Sequence, residues 1–310
     1  MSRASTYDAL LLVSFGGPEG PDDVIPFLEN VTRGRNIPRE RLEQVGRHYH
    51  RFGGVSPINQ QCRELKAAIE ADFAAHDLDL PVYWGNRNWD PYLADTVRRM
   101  KDDGIRHAAA FVTSAYSGYS TDVQYREDIE RARAEVPGAP VIDKLPVYCL
   151  RPGFVDPYVD ATRDALAELP GDATRHVVFT AHSVPLSQAG RPDYVGELER
   201  VAKLVSGRAA LDVPWTLAYQ SRSGPPSQPW LEPDIVDHLE ALDGQGVTAV
   251  AVVPIGFVSD HMEVKYDLDV EAAERAAKLG LAYARARTPH TDPRFVALPR
   301  ELLLEDGNAG

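Results

Sequence analysis

Eight short apolar runs, many of them rich in β-branched residues, alternate along the chain with stretches of helical periodicity. In the first half the runs are Ala9–Phe15, Val82–Trp84, Ala108–Thr113 and Val141–Tyr148; in the second they are His176–Ala181, Trp215–Gln220, Val247–Ile255 and Leu281–Ala286. Runs this short, often bounded by Gly, Pro or charged residues, read as strands. Helical patterns lie between them at Arg39–Arg51, Asn59–Phe73, Tyr92–Lys101, Asp122–Ala134, Pro157–Glu168, Asp193–Val205, Pro233–Leu242 and Val264–Lys278. Strand then helix, repeated, predicts parallel sheets with helices on their faces, because each crossover returns the chain to start the next strand in the same direction. Four such alternations followed by four more predict an α/β chain of two doubly wound lobes. The change of lobe falls near Leu150-Arg151-Pro152-Gly153. Residues 1–150 are therefore expected to form an N-terminal lobe, 151–290 a C-terminal lobe, and 291–310 a short helix with a polar tail.

At 310 residues the chain is long enough for two lobes of moderate size. No apolar run approaches the roughly 18–20 residues of a membrane span. The N-terminus lacks the apolar core of a secretory signal, so a cytoplasmic protein is expected. Cys62 and Cys149 are the only cysteines, too few for a disulfide framework or a four-thiolate metal site. A net charge of −13 argues against a general nucleic-acid or anionic-membrane surface. One stretch runs the other way: Arg33, Arg35, Arg39, Arg41, Arg47 and Arg51. With Glu40 and Glu43 interleaved it reads either as a solvated helix face or as a cationic rim for a polycarboxylate, which arginine binds bidentately.

Two segments end predicted strands with chemically capable side chains. Val177–Ala181 leads into His182, and Val252–Ile255 leads through Gly256–Asp260 to His261 and Glu263. In an open α/β sheet, ligands bind beyond the carboxyl ends of the strands, so His182 and Glu263 are expected at one crevice. Imidazole opposite carboxylate suits a first-row divalent metal and proton transfer near neutral pH. A histidine so placed also serves often enough as a plain hydrogen-bonded structural residue. Glu263, Asp267 and Glu271 follow at steps of four, which places them on one helix face. Such a row is either a solvated surface or a hydrated ramp whose oxygen ligands hold a divalent ion weakly.

Phe15-Gly16-Gly17-Pro18 is a tight turn after the first strand, and Pro18 removes an amide that a phosphate loop would need. Gly53-Gly54-Val55-Ser56-Pro57 is a second small-residue turn that sets Ser56 before a helix. Hydroxyls and rings crowd Ser114 to Arg126, including Tyr125, and Gln220-Ser221-Arg222 opens an irregular loop running to Trp230. GxSxG, HExxH and GxxxxGK[ST] are absent, which counts against hydrolase, zincin and P-loop chemistry.

Taken together, Ala181-His182-Ser183-Val184-Pro185, the segment Gly256 to Glu263, Gly53 to Pro57, and Gln220-Ser221-Arg222 through Trp230 resemble the ferrochelatase family, in the family's order and over about Leu10 to Arg294. The resemblance implies two Rossmann-like lobes, each a four-stranded parallel sheet flanked by helices (the class II chelatase architecture), and insertion of Fe²⁺ into a porphyrin. It implies His182 and Glu263 as catalytic and metal-binding residues, Asp267 and Glu271 as further metal ligands, and Phe15, Ser56 and Tyr125 as porphyrin contacts. Phe15 stands where some relatives carry a tyrosine that ligates product iron, which phenylalanine cannot do. No cysteine follows Cys149, so neither a [2Fe–2S] cluster nor another cofactor is expected, Fe²⁺ being substrate. Arg47-His48-Tyr49-His50-Arg51-Phe52 is polar and basic where membrane-associated relatives carry an apolar lip. That favours the coproporphyrin III branch, of the actinobacterial, monoderm type, with a soluble monomer and at most a transient partner in the haem pathway. Protoporphyrin IX as substrate, a cobalt or sirohydrochlorin chelatase, and a non-catalytic tetrapyrrole or metal carrier are the alternatives.

Overall fold

The computed structural model describes residues 7–190, 193–224 and 227–306. The first six residues, Pro225 and Pro226 of the Gln220–Trp230 loop, and positions 307–310 of the polar tail lie outside the described residues. The strands are β1 (Ala9–Ser14), β2 (Val82–Asn86), β3 (His107–Val112), β4 (Val141–Lys144), β5 (Arg175–His182), β6 (Trp215–Gln220), β7 (Ala249–Val253) and β8 (Ala282–Arg285). They form two four-stranded sheets of identical pattern, β2-β1-β3-β4 and β6-β5-β7-β8, parallel throughout. Every residue of β1 and β7 is buried, as expected of strands covered on both faces and read in sequence as unbroken apolar runs. β4 and β8 lie at sheet edges and are shorter and partly exposed. The run predicted as a strand to Tyr148 stops at Lys144, since only β3 is available to pair it.

The chain divides into two compact units, and not by one cut near residue 150. One holds residues 1–113, 124–146 and 296–310, the other 114–123 and 147–295. Residues 114–123 join the second unit because Ser117 N and Oγ both donate to the Glu197 carboxylate at 2.7 Å, while Tyr116 Oη donates to the Ile255 carbonyl at 2.8 Å. The C-terminal helix, Pro293–Asp306, falls within the 291–310 segment expected to hold one. Within the first unit Arg300 reaches Asp72 through Nε and Nη2, at 2.7 and 3.1 Å.

Tertiary packing overrode local signals in three further places. The helix Val24–Val31 continues through Pro26 because Val24, Phe27 and Leu28 are buried against Leu42. The helix expected from Pro157 begins at Pro152, carried through the later proline by the burial of Phe154, Val155 and Tyr158. The helix expected over Val264–Lys278 is three pieces: Met262–Tyr266, a π-helical turn at Asp267–Ala272, and Ala273–Leu279.

In the second unit, the Thr216 hydroxyl lies 3.0 Å from His176 Nε2 and 2.6 Å from His238 Nε2. That hydroxyl can donate to one ring and accept from the other, so it bridges the two histidines. Burial, helped by the neighbouring His238, depresses the His176 pKa to about 4. The unfolded chain takes up that proton near pH 6.5 while the fold resists it. Stability from this residue is thus full above pH 6.5 and is lost as pH falls towards 4. Urea midpoints measured from pH 7 to pH 4 should fall by the equivalent of about 1–3 kcal/mol on this account, and His176→Gln should flatten that limb; an unchanged slope in the variant would contradict the assignment.

Candidate active site

In the second unit's sheet the chain leaves β5 towards β6 on one side and later places β7 on the other, so the carboxyl ends of β5 and β7 form the switch point at which open α/β sheets bind ligands. β5 ends on His182. The chain leaving β7 runs through Pro254–Asp260 and enters the helix Met262–Tyr266, of which Glu263 is the second residue. The two side chains meet, with His182 Nε2 3.6 Å from Glu263 Oε1.

His182 Nδ1 bonds the Ser183 carbonyl. A carbonyl only accepts, so Nδ1 carries the hydrogen and Nε2 is the atom turned to Glu263. Burial alone would lower the His182 pKa, but the Glu263 carboxylate outweighs it, with smaller help from the Ser183 carbonyl and Asp267, and raises it to about 9. Glu263 answers in kind: burial pushes its carboxyl up, while His182 and then His261 bring it down to about 2. Both shifts run in the direction that favours imidazolium beside carboxylate.

The surrounding main chain is held from several directions. Gln220, in register with His182 on the neighbouring strand, donates Nε2 to the Glu263 carbonyl at 2.8 Å. Ser221 follows at φ 62°, a left-handed conformation that a non-glycine residue adopts at a cost of order 1–3 kcal/mol, and from there its hydroxyl reaches Asp267 Oδ2. Tyr194 Oη donates to the His182 carbonyl at 3.2 Å. Tyr158 Oη bonds the Pro254 carbonyl at 2.7 Å and also that of Phe257, and Tyr116 bonds Ile255 between them. Gly256 completes the seat: its N–H donates to the Thr180 carbonyl at 3.0 Å, and a Cβ there would sit 2.6 Å from that of Ala181. Only glycine lets the 254–258 turn lie so close to β5.

His261, the second histidine of the segment, caps the Glu263 helix by accepting the Glu263 N–H on Nδ1 at 3.2 Å, its ring edge-on to Phe257. Asp267 and Glu271 do follow Glu263, but through the π-helical turn, whose wider i→i+5 bonding alters the regular helical stacking read from sequence. The three remain electrostatically coupled. Burial chiefly raises the Asp267 pKa to about 8; the Ser221 bond opposes this, and the charges of Glu263 and Glu271 add to it. Glu271 is exposed, and its pKa is raised by desolvation and by Asp234 and Glu274. Among the described residues no group of three or more His, Cys, Asp and Glu side chains gathers as a metal-holding cluster. A histidine and carboxylates spaced in this way suit a cation in passage better than one in residence.

In the first unit, Phe15, Ser56 and Tyr125 share one neighbourhood. The Ser56 N–H donates to the Pro18 carbonyl, and a Cβ on Gly17 would fall 2.7 Å from that of Ser56. Ser56 and Tyr125 are buried and Phe15 half-buried. Between Phe15 and Tyr125 sits Arg87, its guanidinium 5.6 Å from the first ring centroid and 4.4 Å from the second, bonded through Nε to Asp128. The six clustered arginines are all exposed, and Arg39 pairs with Glu43 and Glu29. Sequence reasoning missed Arg87, Tyr194 and the bonds made by Gln220 and Ser221. Each acts across a long sequence separation, and the one available signal was the position of Gln220-Ser221 just past a strand.

Two parallel sheets of one strand order, with His182 and Glu263 at a switch point, define a class II chelatase architecture. The fold is shared with SirB from Bacillus subtilis solved with Fe³⁺, at TM-score 0.61, 14% identity and 97% coverage of both chains. CbiX, described as the terminal enzyme for biosynthesis of siroheme in denitrifying bacteria, shares it at TM-score 0.55 and 14% identity, over 96% of this chain and 98% of that one. The chain belongs to the ferrochelatase family: the family's sequence model, Ferrochelatase, matches residues 7–306. A coproporphyrin III ferrochelatase of Streptomyces griseus is 56% identical over 96% of this chain and 85% of the relative. Its counterpart in Mycolicibacterium vanbaalenii is 55% identical over 97% and 90%, and a ferrochelatase of Rhodopirellula baltica is 51% identical over 98% and 88%.

Proposed function

We propose that this chain is a coproporphyrin III ferrochelatase, inserting Fe²⁺ into coproporphyrin III to give the iron complex used in haem synthesis. The observation that carries the reading is the His182–Glu263 pair at the β5/β7 switch point, in a chain with relatives of that name 52–56% identical over nearly its whole length.

His182 is the base for pyrrole protons and Glu263 the carboxylate that holds Fe²⁺ last. At rest Glu263 keeps His182 protonated. A divalent cation arriving at Glu263 cancels the charge that holds that proton, which then passes to solvent at the partly exposed ring and leaves the Nε2 lone pair to accept a pyrrole proton. Asp267 and Glu271 stand behind Glu263 as the route inward. Phe15, Ser56 and Tyr125 contact the macrocycle, and the exposed arginines from Arg33 to Arg51 supply cations for its four propionates. Phe15 offers no axial ligand to the product iron.

We place the protein in the cytoplasm as a monomer without resident cofactor or [2Fe–2S] cluster, handing its product to a transient partner. No helix among the described residues is long and apolar enough to cross a membrane.

Anaerobic mixing with Fe²⁺ and coproporphyrin III, followed by visible absorption, tests the activity, with protoporphyrin IX run in parallel. Free-base bands giving way to those of the iron complex, faster with coproporphyrin, is the expected result. Faster conversion of protoporphyrin would change the substrate, and tight ring binding without insertion would make the chain a carrier. Iron and acid-labile sulfide assayed on the same anaerobic preparation should both be absent.

A further inference from the structure

Five carboxylates lie between residues 260 and 271, and their surroundings differ: Asp260, Glu263, Asp267, Asp269 and Glu271. Two of them share one arginine. Arg285, the last residue of β8, donates from Nη1 and Nη2 to Asp260 at 3.1 and 3.0 Å, and from Nε and Nη2 to Asp269 at 2.7 and 3.2 Å. Thr288 adds a hydroxyl to Asp260 at 3.2 Å, and Lys265 Nζ lies 2.5 Å from Asp269. Side-chain exposure is 15% for Arg285 against 17% for Asp260 and 24% for Asp269, so these pairs are largely withdrawn from water.

We infer that Arg285 is a positioning residue for metal delivery: it occupies Asp260 and Asp269, fixes the segment between them, and leaves Glu263, Asp267 and Glu271 as the carboxylates presented to the incoming divalent cation. The inference rests on the chelatase reading above. Its geometry is that of a staple. Asp260 immediately precedes His261 and the Glu263 helix, and Asp269 lies in the π-helical turn two residues past Asp267. Both anchors are tied to one rigid guanidinium on a strand of the sheet. A planar fork can bind two carboxylates in fixed directions, whereas an ammonium is a point charge without that geometry. The two carboxylates in turn hold Arg285 charged against the penalty of burial. With Arg285 and Lys265 present, Asp260 and Asp269 carry matched positive charge. Without the arginine, Lys265 alone faces the two carboxylates, and their excess negative charge would compete with Glu263 for the cation.

The test uses the full chain with Arg285→Gln and Arg285→Lys. Metal dependence of insertion is measured at saturating coproporphyrin, porphyrin affinity by fluorescence quenching, and folding by thermal melting. Expected is a metal KM raised roughly 10–100-fold in Arg285→Gln, the usual scale for loss of an outer-sphere partner, with porphyrin affinity unchanged and a smaller rise in Arg285→Lys. A lowered melting temperature with unchanged metal KM and kcat would make the arginine merely structural and overturn the inference. If Arg285→Gln does not fold, Asp269→Asn keeps the side-chain shape while weakening one arm of the staple; it should raise the metal KM in the same direction, and an unchanged value would overturn the inference equally. Wild-type protein that inserts no iron overturns the chelatase reading and this inference with it, whereas active wild type with unmoved variants overturns this inference alone.

Discussion

His182→Ala is expected to lower kcat for iron insertion by about 10²–10⁴-fold, the range that a positioned proton acceptor contributes, while the porphyrin still binds. His182 is fixed at both ring nitrogens, Nδ1 by the Ser183 carbonyl and Nε2 by Glu263. Its own carbonyl is held by Tyr194. Among the described residues no neighbour stands ready to replace it: His261 has Nδ1 committed to the Glu263 amide, and burial depresses its pKa. The side chain is partly exposed, so its removal leaves a water-filled gap and little loss of packing. Anaerobic initial rates at saturating metal, with porphyrin fluorescence for binding, make the measurement. Activity within an order of magnitude of wild type would take His182 out of the mechanism.

Phe154→Ala should have the largest effect on stability, about 3–5 kcal/mol for a fully buried phenylalanine. Phe154 has no exposure, and its ring packs against Tyr116, Tyr148, Tyr158 and Phe295 at centroid distances of 5.8, 5.9, 5.5 and 6.5 Å. Two of those neighbours, Tyr116 and Tyr158, are the residues whose hydroxyls hold the 254–257 turn ahead of Glu263. The cavity should therefore lower the urea midpoint and also slow insertion in molecules that remain folded. Phe154→Leu, which refills most of the volume, should recover much of both. A variant with wild-type midpoint would show that the aromatic cluster is not the second unit's core.

The sequence made the strands legible because parallel strands buried on both faces must be apolar throughout, and runs such as Leu10–Val13 and Val250–Val253 have no other ready reading. His182 and Glu263 were legible for the same reason, as polar residues placed just past such runs. What remained hidden depends on contacts between distant residues. Helical spacing from Val264 to Lys278 gives no sign of the π-helical turn, whose acids are engaged by Ser221 and Arg285. Arg285 itself ends a weak edge strand and looks like any surface arginine. Tyr125 was singled out through the family resemblance, but nothing in the sequence tells that it lies buried with its face towards Arg87. The 114–123 segment was read as part of the first lobe because sequence order is the only adjacency a sequence displays.

The interleaving of the two units bears on how the protein is made. The first unit includes residues 296–310, with the Arg300–Asp72 ion pair, yet 149 residues of the second unit, 147–295, are synthesised before that segment exists. At about 5–20 residues per second, the first unit waits roughly 8 to 30 s on the ribosome without its closing helix. Its nascent surface is exposed for that interval, so a translational pause between residues 147 and 295 would lengthen the period in which a chaperone is needed, whereas a pause before residue 147 would not.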